Sequence, residues 1–155
     1  MMMLMLEVQE SILISAAPAK VWQKLMDLKS WSEWNTFVTF IEVQAPHTKL
    51  CIGSKQTITI NKSESYTNTV SVLDNEKELR WNGNILIAAF FNTEHWCRLE
   101  PITGDKEATR FIQGERFSGI LAQVAGAMGK LDELRKGYAR MNLDLKQVIE
   151  AQVKE

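Results

Sequence analysis

The sequence predicts an α+β domain in which one long helix lies against an antiparallel sheet. Three observations predict it. About seven runs rich in Val, Ile, Thr and Phe occupy residues 7–117, several of them alternating apolar with polar. From Gly119 onward the apolar residues change to spacings of three and four. Strands and helices do not alternate one for one, so no βαβ unit and no parallel sheet is expected.

The elements follow in order. Glu7 to Ser15 reads EVQESILIS, a strand that Ala17-Pro18 ends. Pro18 suits a first helical turn, and Val21, Trp22, Leu25, Met26 and Leu28 give a short amphipathic helix through Leu28. Ser30, with Glu33 three residues on, reads as a capping box for a second short helix ending at Trp34. Strands are then predicted over Phe37 to Gln44, Ser54 to Asn61, Ser65 to Leu73, Glu78 to Ile85, Asn92 to Glu100 and Glu107 to Phe117. Asp74-Asn75 supplies a turn, and Pro101 to Asp105 breaks the chain before the last strand. Apolar residues at 121, 124, 125, 128, 131, 134, 138, 141, 145, 148 and 149 predict a C-terminal helix up to about 50 Å long. Gly126, Gly129 and Gly137 interrupt it, which indicates a bend or close packing. No repeat or linker appears, so residues 1–155 are expected to form one domain.

Composition removes several function classes. Hydrophobic residues make up 45% and charged residues 24%, as in globular proteins with a real core. A formal net charge of −1 without any basic run argues against a nucleic-acid surface. Cys51 and Cys97 are too few and too far apart for a disulfide scaffold or a CxxC pair, so both are expected to be free thiols, consistent with a reducing cytoplasmic location. The opening MMMLMLEVQE lacks the basic start and the apolar length of a signal peptide. Ile85 to Phe91, ILIAAFF, is the most apolar run, yet it falls well short of the ~18 residues of a membrane span. It is either a core strand or the wall of an apolar pocket.

The ordered motifs are similar to one known group. ISAAPAKVWQKLMDLKSWSEWN (Ile14 to Asn35), LRWNG (Leu79 to Gly83), EHWCRLEP (Glu94 to Pro101), GERFSG (Gly114 to Gly119) and YARMNLDLK (Tyr138 to Lys146) carry the likeness. In this layout the chain resembles the START-related helix-grip superfamily, in its polyketide cyclase/dehydrase-like bacterial branch. One departure is Thr36, where relatives often place Pro after Trp-Asn. The resemblance implies a sheet of about seven antiparallel strands gripping the C-terminal helix, with a cavity between them for lipids, sterols, polyketides or similar molecules. It also places Ile87 to Phe91 near the cavity mouth, as an apolar lip, with a tight-turned strand pair buried on both faces as the alternative. Fold alone does not choose among these functions.

The residues offer few candidates for chemistry. His47 follows Pro46 in a predicted exposed loop. By alternation His95, Cys97 and Leu99 share one strand face, opposite Glu94, Trp96 and Arg98. A hairpin around residues 101–107 brings His95 opposite Gln113 or Glu115. His95 as base or donor, with Glu115 orienting it, is the arrangement proton abstraction would need; a purely structural hydrogen bond is the alternative. Trp96, Arg80 and Arg98 are expected on the outer face, with Trp96 half-exposed. The tryptophans Trp22, Trp31, Trp34 and Trp81 are expected in the core or along a pocket wall, and Asn142 at the edge of the helical stripe needs polar partners. No metal-ligand spacing, nucleophile elbow or phosphate loop is present, and no cofactor is expected.

Three function classes remain. The first is binding or transport of a small hydrophobic ligand such as a lipid, polyketide or quinone, lined by Trp34, Phe37, Trp81, Ile87, Phe90, His95, Phe111, Met128, Leu131 and Asn142. Burying ~300 Å² of such a ligand is worth about 7 kcal/mol before association costs. The second is a cyclase or dehydratase using His95 and Glu115 as acid and base. The third is a co-chaperone-like protein-interaction module. Monomer and dimer are equally compatible with the sequence, and stable membrane insertion is not expected.

Overall fold

In the computed structural model, which describes residues 5–85, 91–119, 122, 124 and 129–154, seven antiparallel strands form one curled sheet. Strand β1 is Leu6–Ile14, β2 Val38–Val43, β3 Lys55–Ile60, β4 Glu64–Asp74, β5 Glu78–Ile85, β6 Phe91–Ile102 and β7 Asp105–Ser118. Their order across the sheet is β1-β7-β6-β5-β4-β3-β2, so every neighbour from β2 to β7 is a sequential hairpin partner and β1 closes the far edge on β7. The first two helices, α1 (Pro18–Met26) and α2 (Trp31–Trp34), carry the chain from one sheet edge to the other. The last helix, α3, is Lys130–Val153.

Local chemistry explains most element ends. Pro18 opens α1 where no intrahelical N–H is needed, and Val21, Trp22 and Leu25 bury its inner face. Ser30 stands at the N-cap of α2, but the predicted capping box does not form. Its hydroxyl instead donates to the Asp27 carbonyl (2.7 Å) and accepts the Trp34 indole N–H (3.1 Å), because its backbone is still in a helical turn. Trp31 and Trp34, three residues apart, both point into the core with ring centroids 5.7 Å apart. The Asn35 side chain then accepts the backbone N–H groups of Phe37 and Val38, which turns the chain into β2. At Thr36 both the backbone N–H (2.8 Å) and the hydroxyl (2.6 Å) donate to Asp144 of α3, a tie that proline could not make.

Most boundaries shift from expectation by one or two residues, the first helix ending at Met26 rather than Leu28, and two of the differences have a clear backbone cause. Strand β6 runs through Pro101 to Ile102, and the ladder absorbs the missing N–H by a register shift between those two residues. The turn before β7 shrinks to residues 103–104, with Gly104 at φ +82°. The C-terminal helix does not run unbroken from Gly119. Gly129 adopts φ +74°, which ends any α-helical run, and α3 starts after it, spanning roughly 36 Å. Gly126 lies outside the described residues.

The core lies between the sheet's inner face and the helices. Ile14, Val21, Leu25, Trp31, Leu79, Phe111, Met141 and Leu145 are essentially inaccessible. Helix α3 is tied along its length to β1. Arg135 pairs with Glu10, the Lys146 ammonium donates to the Leu13 carbonyl (2.7 Å), and Glu150 accepts the Ser15 N–H (3.0 Å). On its other flank Arg140 donates to Asn61 (2.8 Å). None of the described helices is long and apolar enough to cross a membrane.

Candidate functional site

Beneath α3 the alternation of the central strands sends His95, Cys97 and Leu99 of β6 and Phe111, Gln113, Glu115 and Phe117 of β7 to the inner face. The register places His95 between Trp81 on β5 and Glu115 on β7. Trp81 stacks on the imidazole at 4.9 Å between centroids and 17° between planes. From above, α3 lowers Tyr138 and Asn142, four residues apart and therefore on one helical face. The Tyr138 ring lies 5.2 Å from the imidazole and meets the Phe37 ring edge-on at 5.4 Å.

These residues form two hydrogen-bonded groups. In the first, His95 Nε2 bonds Gln113 Oε1 (2.9 Å), Gln113 Nε2 donates to Asn142 Oδ1 (2.9 Å), and Asn142 Nδ2 donates to the Glu10 carbonyl (3.2 Å). In the second, the Tyr138 hydroxyl donates to the Glu115 carboxylate. Gln113 and Asn142 are almost completely buried, and His95 is 5% exposed. Sequence alternation therefore brings His95 opposite Glu115 as expected, but Glu115 does not orient the imidazole. Gln113 does so, on the diagonal, because Tyr138 takes the carboxylate.

Burial sets the protonation states. It lowers the His95 pKa to about 4 against a smaller opposing effect of the Gln113 bond, so the ring is neutral at pH 7. It raises the Glu115 carboxyl to about 7, the Tyr138 bond pulling the other way. Tyr138 is pushed well above the ordinary phenol range by burial and then by the nearby carboxylate. A neutral imidazole beside a carboxyl that is half-protonated near pH 7 can accept and donate protons in an apolar setting.

The other predicted residues fall as follows. Phe37, Trp81 and Phe111 are buried in or beside this cluster, and Leu131 is half-buried on α3. Trp34 stands elsewhere. It borders a surface hollow of about 550 Å³ with Asn35, Thr36, Phe40 and Lys62, which shares no residue with the His95 cluster. Ile87, Phe90 and Met128 lie outside the described residues, as does the middle of ILIAAFF; its ends, Ile85 and Phe91, are register partners on β5 and β6. His47 is exposed, Cys97 is buried and free, and Cys51 is free and half-buried in a loop. Tyr138 was not singled out from the sequence as a site residue. Its signal was a phenol within the apolar stripe, one turn before Asn142.

Trp96 is not half-exposed on the outer face but 2% exposed. Its register partner is Gly114, and the indole fills the space a side chain there would take. The guanidinium groups of Arg80 and Arg116 cover it at 5.2 and 5.7 Å. Arg80 is held there by Glu78 and Glu94 rather than standing free in solvent.

Comparison with known proteins agrees with this architecture. Residues 5–150 match the family model described as "Polyketide cyclase / dehydrase and lipid transport". No curated protein matches. Among solved structures, a hypothetical protein of Helicobacter pylori superimposes with a TM-score of 0.74 at 17% identity, covering 92% of this chain and 87% of that one. The Zhui aromatase/cyclase from Streptomyces sp. R1128 gives 0.73 at 13% identity, covering 97% and 96%. A norcoclaurine synthase point mutant of Thalictrum, in complex with a transition-state analogue, gives 0.71 at 10% identity, covering 98% of both chains. At these identities the structural likeness speaks to the fold, while the family model spans nearly the whole sequence: the chain belongs to the polyketide cyclase / dehydrase and lipid transport family.

Proposed function

We propose that the protein binds a small hydrophobic molecule, such as a lipid, polyketide or quinone, between the inner face of the sheet and α3. The observation that carries this reading is the polar cluster set into an apolar wall. His95, Gln113, Asn142, Glu115 and Tyr138 converge among Phe37, Trp81 and Phe111, the composition of a site that encloses an apolar body and orients one polar end. Family membership supports the same ligand class. Native mass spectrometry of the purified protein is expected to find a co-purified apolar ligand, and fatty acids or quinones should change tryptophan emission through Trp81. Absence of both effects counts against the reading.

The raised carboxyl of Glu115 and the neutral ring of His95 favour a second reading, acid/base catalysis of a cyclisation or dehydration. Here His95→Gln and Glu115→Gln should each lower turnover of a synthetic polyketide thioester at least tenfold while the fold is retained. Unaltered turnover in both variants removes this reading.

A further inference from the structure

The direction of the buried hydrogen-bond chain is fixed at its far end. The Glu10 carbonyl has no proton to give, so the atom of Asn142 that meets it is the amide nitrogen. That leaves Asn142 Oδ1 for Gln113, whose own nitrogen must be the donor. Gln113 Oε1 then faces His95 Nε2, and an oxygen acceptor requires the proton on Nε2. In a neutral imidazole one nitrogen is a donor and the other an acceptor, so Nδ1 carries a bare lone pair.

Among the described residues that lone pair has no partner and no exposed surface, so bulk water does not satisfy it. The neighbouring groups are already committed. The Tyr138 hydroxyl donates to Glu115. The Trp81 indole lies nearly parallel to the imidazole, so its N–H runs alongside the ring rather than into its edge. Glu115, the register partner, makes its hydrogen bond to Tyr138 and not to His95. The chain from Glu10 through Asn142 and Gln113 thus ends on one buried acceptor, and buried acceptors of this kind are normally paired.

We infer that His95 Nδ1 is the specificity contact of the proposed site, reached when the side chains packed over it part, and that within the proposed ligand class the site prefers a hydrophobic alcohol or phenol, whose hydroxyl completes the chain, over quinones and other molecules that offer only acceptors. This rests on the proposed ligand site between sheet and α3 and adds which end of the ligand is read. A ketone, ether or ester oxygen at the same place brings a second lone pair against Nδ1, and the network cannot reverse to accommodate it while the Glu10 carbonyl holds Asn142. An ammonium donor must leave its hydration shell to reach a nitrogen with no exposed surface, and the neutral imidazole offers it no opposite charge. Asn142 and Gln113 act through His95 as positioning residues.

The test uses matched probes on the full chain. In each of the pairs 2-naphthol against 2-methoxynaphthalene and dodecan-1-ol against its methyl ether, the hydroxyl member is expected to bind at least tenfold more tightly by calorimetry. In His95→Phe, checked for folding by circular dichroism, that preference should fall within twofold. Independently of any ligand, ¹⁵N-resolved NMR of the free protein should show a protonated Nε2 and an unprotonated Nδ1 for His95. Addition of 2-naphthol should then move the Nδ1 resonance, and its methyl ether should not. Asn142→Leu, which frees Gln113 to turn over, should allow the other tautomer to appear. Equal affinity within both pairs overturns the hydroxyl inference and leaves the proposed ligand site standing. A proton found on Nδ1 in the free protein overturns it whatever binds. Failure of all four probes to bind overturns the cavity reading and this inference with it.

Discussion

His95 and Glu115 face each other across two strands, and burial moves their pKa values in opposite directions. The consequence is a pair of opposed pH dependences. For His95 the unfolded chain takes a proton near 6.5 and the folded chain near 4. Between those values the unfolded state holds more protons, so this residue's contribution to stability falls as pH falls from about 6.5 towards 4. For Glu115 the folded chain keeps its proton up to about 7 while the unfolded chain releases it near 4.5, so its contribution falls as pH rises from about 4.5 to 7. At about 1.4 kcal/mol per unit, each is on the order of 3 kcal/mol. Unfolding free energies from urea titrations between pH 4 and 7.5 should separate them. Relative to wild type, Glu115→Gln should gain stability as pH rises through the Glu115 window, and His95→Gln should gain as pH falls through the His95 window. Parallel curves for wild type and both variants would show that neither group is desolvated as described. The pairing of His95 with β7 followed from alternation together with the predicted hairpin around residues 101–107. What could not be read was which β7 residue bonds it, since that depends on Tyr138 arriving from a helix far along the chain and claiming Glu115.

At the scale of elements, strand positions were legible because alternation and β-branched content mark a half-buried ladder; β5 falls at Glu78–Ile85, the bounds the pattern indicates. The start of α3 was not legible. Apolar spacing runs straight through Gly129, and the left-handed backbone there is invisible to periodicity. Two glycines test how elements fit. Helix propensity alone would make Gly137→Ala stabilising by about 1 kcal/mol. The Phe37 ring, however, occupies the place of the added methyl group, and Phe37 is itself buried and braced on Tyr138. Overpacking at about 1–3 kcal/mol should win, so the variant is expected to be less stable. Gly114→Ala should also lose about 1–3 kcal/mol, because its methyl group would lie 2.5 Å from the Trp96 indole beneath two guanidinium groups. The two differ in function. Gly137→Ala displaces a ring of the proposed site and should weaken ligand binding, whereas Gly114→Ala disturbs the outer face and should leave affinity unchanged. Chemical denaturation and calorimetry on both proteins check the pair, and weakened binding in Gly114→Ala would break the distinction.

For the molecule as a whole, the proposed site lies in the seam that holds the fold together. Helix α3 is joined to β1 by Arg135, Asn142, Lys146 and Glu150, and to the α2–β2 connection and the turn after β3 by Asp144 and Arg140. Opening that seam exposes Met141, Leu145 and Ile149, which pack into the same core as Trp31 and Phe111. A ligand between sheet and helix therefore binds the folded state as a unit, and the site has no counterpart in the unfolded chain. Mass action then makes global stability a gauge of occupancy. At a free ligand concentration one hundred times Kd the gain is about 2.7 kcal/mol. For a chain of this size each kcal/mol is worth roughly 2–4 °C, so the midpoint should rise by about 5–10 °C in a single transition. Differential scanning calorimetry with a saturating ligand, its affinity measured separately, supplies the number. A ligand that binds tightly by calorimetry yet leaves the midpoint unmoved would be binding the unfolded chain as well as the folded one, and so not at a site the fold builds. In His95→Phe the rise at a fixed concentration of a hydroxylated probe should shrink with its affinity, by about 1.4 kcal/mol of stabilisation for each tenfold loss while the site remains well occupied. Agreement between the shift and the separately measured Kd would place ligand, network and fold in one thermodynamic cycle.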